Sequence, residues 1–205
     1  TKGTSFVLER VTGAEEGIEK EPGLFATEPH YLYKISANEA ALDGGDELLL
    51  RVDRGDELPP AVAETTVLGA IDSISSSPFN VINSWRYTQV QSVVWRPDPN
   101  AQIFDVRIVF NYREVMPGSG EDPVKKTVQW EVGRALLRDD PNSTREKIDI
   151  SGQAFYGFLG DAIPPSEGEI RIFDDMDIYI TGAGQELRDF VRVAQANTGI
   201  TSAQN

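Results

Sequence analysis

Polar and apolar positions alternate with a period of two along much of this chain. The longest run sets Phe104, Val106, Ile108, Phe110 and Tyr112 against Asp105, Arg107, Asn111 and Arg113. That pattern predicts a strand with one buried face. Lys126, Val128, Trp130 and Val132 alternate in the same way with Lys125, Thr127, Gln129 and Glu131. The segment between the runs, Met116-Pro117-Gly118-Ser119-Gly120-Glu121-Asp122-Pro123, is rich in turn residues, so a hairpin with a long loop is expected. Further strands are predicted at Gln89–Trp95, Arg145–Ile150, Glu169–Phe173 and Met176–Thr181. Short strands punctuated by Gly, Pro and Asp point to a sandwich.

The first third reads as a smaller β unit. Its apolar-aromatic runs are Ser5–Arg10, Gly23–Phe25, Tyr31–Ile35, Glu47–Val52 and Val62–Val67, separated by turns such as Asp43-Gly44-Gly45-Asp46. These are few strands for a complete sandwich, and the missing ones are expected upstream of Thr1. Ser75-Ser76-Ser77-Pro78 marks a boundary near Leu68–Ser77, dividing a partial Ig-like or prealbumin-like unit over 1–70 from a sandwich over 71–205. Two helices interrupt the second unit, near 153–162 and 185–196. Phe155, Phe158, Leu159 and Ala162 form one apolar stripe before Pro164-Pro165; Leu187, Phe190, Val191 and Ala194 form the other, with Asn197-Thr198-Gly199 as a stop. Each stripe is expected to pack on a sheet or plug an open end. The fold class is therefore mainly β: two tandem β-sandwich units of Ig or fibronectin-III type, the second with two short helices.

Composition narrows the chemistry. The 205 residues include no cysteine and one histidine, His30, which disfavours thiol catalysis, a Ser-His-Asp triad and zinc held by several imidazoles. Lacking thiols, the chain suits an oxidising envelope as well as a reducing cytosol. A net charge of −14, from 33 acids against 19 bases, repels phosphate backbones and anionic lipid headgroups. Nucleic acid and direct electrostatic docking on a membrane are thus poor partners. His30, between Pro29 and Tyr31, has no neighbouring nucleophile or second imidazole and reads as a structural residue.

Among the motifs, Gly182-Ala183-Gly184-Gln185-Glu186-Leu187 has the local shape of a dinucleotide-binding turn, but Leu187 stands at the third glycine position. A swing from strand to helix explains these glycines better. Asp174, Asp175 and Asp177 are weak candidates for Ca²⁺, the expected ion if any is bound, and Asp43, Asp46 and Glu47 are equally weak. Solvated acids on turns explain both groups. Many carboxylate pairs could serve glycoside hydrolysis, yet nothing singles out one pair. Trp85, in Asn83-Ser84-Trp85-Arg86-Tyr87, lies in loop-like sequence and, with Arg86 and Tyr87, is the candidate ligand or partner contact. Trp130 alternates with polar residues, as a core side chain would. Arg54-Gly55-Asp56 is explained by a turn, and Asn142-Ser143-Thr144 is a glycosylation sequon.

Several stretches carry a family resemblance: Gly23-Leu24-Phe25, Tyr31-Leu32-Tyr33-Lys34-Ile35, Glu47-Leu48-Leu49-Leu50-Arg51-Val52 and Ala63-Glu64-Thr65-Thr66-Val67, then residues 101–114, 151–159 and 182–187. The chain resembles Bacteroidota cell-envelope lipoproteins with extracellular β-sandwich modules, many of unknown function. The resemblance implies export, a lipid anchor on a cysteine upstream of Thr1 and residence at the outer membrane, on its periplasmic face or at the cell surface. In that setting Ser73, in Asp72-Ser73-Ile74, is a candidate O-glycan acceptor. The family supplies no catalytic motif.

The expected role is non-enzymatic and needs no cofactor: a lipoprotein that binds an outer-membrane protein as accessory subunit of a secretion, gliding or nutrient-uptake complex. The alternatives are a carbohydrate-binding surface module, which would take a glycan, and a carboxylate-dependent glycoside hydrolase.

Overall fold

The computed structural model describes residues 3–20, 28–53, 55–73 and 85–202. The chain is mainly β, built from several antiparallel sheets with three helices among the described residues. It divides into two compact units, Thr1–Asp43 and Gly44–Asn205, so the predicted strands before residue 70 are shared between them.

In the first unit β1 (Glu9–Thr12) pairs antiparallel with β2 (Tyr31–Lys34), and a single helical turn, α1 (Ala37–Ala40), follows. The buried Gly13 lies against His30: its N–H donates to the His30 carbonyl at 2.8 Å, and a Cβ there would be 2.3 Å from Nδ1. His30 is therefore packed on backbone, in keeping with a structural role. The Arg10 guanidinium covers the Tyr31 ring at 4.7 Å, and Lys34 pairs with Glu16. Gly23–Phe25 lies outside the described residues.

The second unit opens with a hairpin, β3 (Glu47–Val52) and β4 (Ala61–Thr66). Two three-stranded sheets follow. One has the order β5 (Asp72–Ser73), β6 (Val90–Arg96), β9 (Glu146–Ser151); the other has β10 (Ile170–Ala183), β7 (Ile103–Val115), β8 (Val124–Leu137). Phe104, Val106, Ile108, Phe110 and Tyr112 are all buried, as the period of two predicts, while Asp105 and Arg107 face outward. The two sheets share one core, joined by the edge-on contact of Trp95 with Phe104 at 5.4 Å. Helix α2 (Gly152–Ala162) drives Phe155 into that core, where it meets Trp85, Phe110 and Trp130. Its first turn is capped by Ser151, whose hydroxyl accepts from the Ala154 N–H at 3.1 Å.

Three expectations are corrected here. The strands predicted at Glu169–Phe173 and Met176–Thr181 are one strand, β10, whose pairing with β7 shifts between Phe173 and Asp175. A bulge moves the alternation by one residue and so imitates a break. Helix α3 (Gln185–Ser202) runs through Asn197-Thr198-Gly199 and does not stop there. Its stripe is also uncovered: Phe190 is 70% exposed and Leu187 49%, with only Val191 half-buried. The core cluster is built mainly from the sheets and α2, and none of the α3 side chains described, those of residues 185–194, belongs to it.

Candidate functional site

Trp85, expected at the surface, is 1% exposed. Its ring lies 4.5 Å from that of Phe155, and its carbonyl accepts the Tyr156 hydroxyl at 2.5 Å. Docking of α2 on residues 85–89 buries it, so its ring is not available to a ligand. Arg86 and Tyr87 do remain exposed, Tyr87 beside Tyr156 with ring centres 6.5 Å apart.

The three aspartates of β10 do not converge. Asp174, at the bulge, accepts from Arg113 Nε at 2.7 Å; Asp175 accepts from Asn111 Nδ2 at 2.6 Å; Asp177 is exposed further along the strand. No cluster of three acids or imidazoles able to hold a metal occurs among the described residues. Ser73 ends β5 opposite Trp95, and Ile74 and Arg54 lie outside the described residues. Asn142 is exposed on a turn, where its N–H donates to Asp140 Oδ1 at 2.9 Å. Gly182 and Ala183 end a strand antiparallel to β7, whereas a dinucleotide turn belongs to a parallel βαβ unit.

On the outer face of the β10-β7-β8 sheet several polar side chains pair with one another: Arg113 pairs with Asp174, and Asn111 donates to Asp175 and accepts from Thr127. Arg107 lies over the Tyr179 ring at 5.0 Å. On the other face, past Tyr112, Arg171 bonds Glu114 at 3.0 Å and Glu169 at 3.1 Å. Cross-strand pairs of this kind account for the period-two polar positions without a ligand.

Beneath the loops, sequence reasoning missed Arg138. Its side chain is only 3% exposed, and Nη1 donates to the carbonyls of Asp98, Pro99 and Ala101 while Nη2 donates to that of Ser143 at 2.6 Å. Nε faces Glu146 at 3.5 Å. Burial pushes the Glu146 carboxyl above the usual carboxylate range, against the pull of Arg138, with Asp139 and Asp140 adding to the rise. A raised acid is the signal expected of a hydrolase, but here its partner is a buried guanidinium tying two loops together.

The hairpin β3–β4 is the feature without a covering. Its base is rooted: Gly44 lies against Gly69 so closely that a Cβ would be 2.5 Å from the Gly69 Cα, and the Gly69 N–H donates to Asp98 Oδ2 at 2.9 Å. Beyond the base both surfaces are open. The register puts Leu48, Leu50 and Val52 on one face with Thr65, Ala63 and Ala61. Leu50 and Val52 on that face are 48% and 45% exposed. The opposite face carries Glu47, Leu49 and Arg51 with Thr66, Glu64 and Val62. No third strand pairs with the hairpin among the described residues. The run Leu48-Leu49-Leu50 signalled a strand, but nothing in it signalled that the strand would be left uncovered.

No family model, curated protein or solved structure matches this chain.

Proposed function

We propose that this chain is a non-enzymatic, protein-binding module of an exported envelope lipoprotein, serving as accessory subunit of an outer-membrane complex. The observation that carries the binding reading is the exposed apolar face of β3–β4. A two-stranded hairpin is marginal in water, and contiguous exposed apolar surface of this kind marks contact sites. Open strand edges template pairing with another chain, and natural proteins leave them open where a partner closes them. The envelope location is supported by the resemblance of the strand and loop segments to Bacteroidota lipoproteins.

The test is native purification of the full-length protein from detergent-solubilised envelope, with wild type and Leu50→Asp side by side. A stoichiometric outer-membrane protein recovered with wild type and lost with Leu50→Asp is the expected result. Recovery of the same partner by both proteins, or of a soluble unlipidated monomer, would overturn the proposal.

A further inference from the structure

Trp95 Nε1, Arg138 Nε and Glu146 Oε1 are buried polar atoms with no hydrogen-bond partner among the described residues. Buried polar groups in folded proteins are nearly always satisfied, so each of these atoms calls for a partner. They share one neighbourhood. The β6–β9 register sets Glu146 directly opposite Trp95, and directly opposed residues lie on the same face. On that face Trp95, Ile148 and Ile150 pack into the core. Glu146 follows them inward: its side chain is 19% exposed, and Oε1 is shut off from solvent. The Trp95 ring also meets Phe104, just beyond the Ala101 carbonyl that holds the Arg138 guanidinium. Arg138 Nε and Glu146 Oε1 face each other at 3.5 Å without making a direct hydrogen bond. The guanidinium cannot swing closer, because Nη1 and Nη2 are anchored on backbone carbonyls.

We infer that one structural water lies between Trp95 of β6, Glu146 of β9 and Arg138, which follows β8. Its oxygen accepts from Trp95 Nε1 and Arg138 Nε, and one of its hydrogens goes to Glu146 Oε1. Internal waters typically make about three hydrogen bonds to groups left unsatisfied in this way. An ion fits worse: an anion would meet the carboxylate oxygen, and a cation would meet two N–H donors, one of them charged. The water extends the tie that Arg138 makes between two loops to a core tryptophan. It is independent of the protein-binding reading, which can fail without touching it.

The test uses the full chain. A high-resolution crystal structure should show one ordered water at about 2.7–3.2 Å from all three atoms. In solution the Trp95 indole N–H, assigned with Trp95→Phe, should give a dipolar cross-peak to water. Its sign should be opposite in the laboratory and rotating frames, the mark of a water that stays longer than the protein takes to tumble. Glu146→Gln keeps an oxygen acceptor and should keep this peak, and a bromide soak should add no anomalous signal at the site. A direct Arg138–Glu146 hydrogen bond with no density beside it, a protein acceptor on the Trp95 indole, bromide at the site, or no long-lived water peak would each overturn the inference. Loss of the peak in a folded Glu146→Gln protein would do the same, since it would point to a cation held by the carboxylate charge.

Discussion

Gly152 and the Arg86 carbonyl are in backbone contact: a Cβ on Gly152 would lie 1.9 Å from that oxygen and 2.9 Å from the Tyr87 Cα. The Gly152 N–H donates to the Gln89 carbonyl at 2.7 Å, and the Gln89 N–H donates back to Arg86 at 3.0 Å. Residues 85–89 are thereby laid on the first turn of α2, which is how Trp85 reaches the core.

Gly152→Ala is accordingly expected to destabilise the protein by roughly 1–3 kcal/mol, because the obstructing atoms are backbone and cannot rotate away. Gly157→Ala, in the same helix with nothing within 4 Å of its Cβ position, should instead stabilise by about 0.5–1 kcal/mol. Urea midpoints of the two variants check this, and a shift in the same direction for both would refute the contact.

The glycine shows where sequence reasoning ran out. The Phe155, Phe158, Leu159 stripe was legible because helix periodicity is local, whereas the Ser151 cap was found only in the structure. The crowding of Gly152 and the burial of Trp85 arise between segments distant in sequence, and Asn83-Ser84-Trp85-Arg86-Tyr87 has no period to report them. Strand β7 was legible almost residue by residue, since one of its faces is core and the other solvent. The two runs of β10 looked separate because Asp174 shifts the phase. The α3 stripe was read correctly as apolar and wrongly as buried, since a stripe records amphipathicity and not what covers it. Arg138 follows Leu136-Leu137 and precedes Asp139-Asp140, so in sequence it resembles any surface charge.

Replacing that arginine should be costly. Arg138→Met leaves four backbone carbonyls without their donor and Glu146 without its cation, an expected loss of roughly 3–5 kcal/mol. Denaturant unfolding measures it, and a loss below about 1 kcal/mol would show that water replaces the guanidinium at no great cost.

Glu146 predicts a pH dependence of defined sign. Its carboxyl is raised in the folded protein, so between the unfolded and folded values the native state holds more protons. This group's contribution to stability therefore falls as pH rises through that window, and stays lowered above it. Glu146→Gln does not titrate and should remove that fall. Melting curves from about pH 4 to pH 7 should converge at the acid end and separate toward neutrality, with the variant the more stable. Parallel curves, or a variant that is less stable at neutral pH, would refute it.

Asp98 fixes the hairpin's root through two bonds, one oxygen accepting from Gly69 and the other from Asn100 at 2.8 Å. Asp98→Ala should cost roughly 1–3 kcal/mol. Deuterium exchange should also accelerate at Gly69 and in β3–β4 more than in β7. Uniform acceleration would mean that Asp98 supports the whole core equally.

The exposed stripe of α3 predicts tolerance. Phe190→Asp should change stability by no more than about 0.5 kcal/mol, the usual bound for a surface position. Phe155→Ala, at a fully buried site, should lose about 3–5 kcal/mol. A large loss in both proteins would place Phe190 in a packed interface of the folded chain.

The place of β7 in its sheet has a consequence for the order of synthesis. One neighbour, β8, follows it directly, but the other, β10, is separated from it by β8, β9 and α2. A growing chain can zip β7 to β8 early, yet the other edge of β7 stays open until residues 170–183 have emerged. A ribosome stalled before that point holds a chain with Phe110 and Tyr112 unburied beside an unpaired edge. The last strand to be made is the one that covers this edge of β7 and brings Phe173 against Phe110.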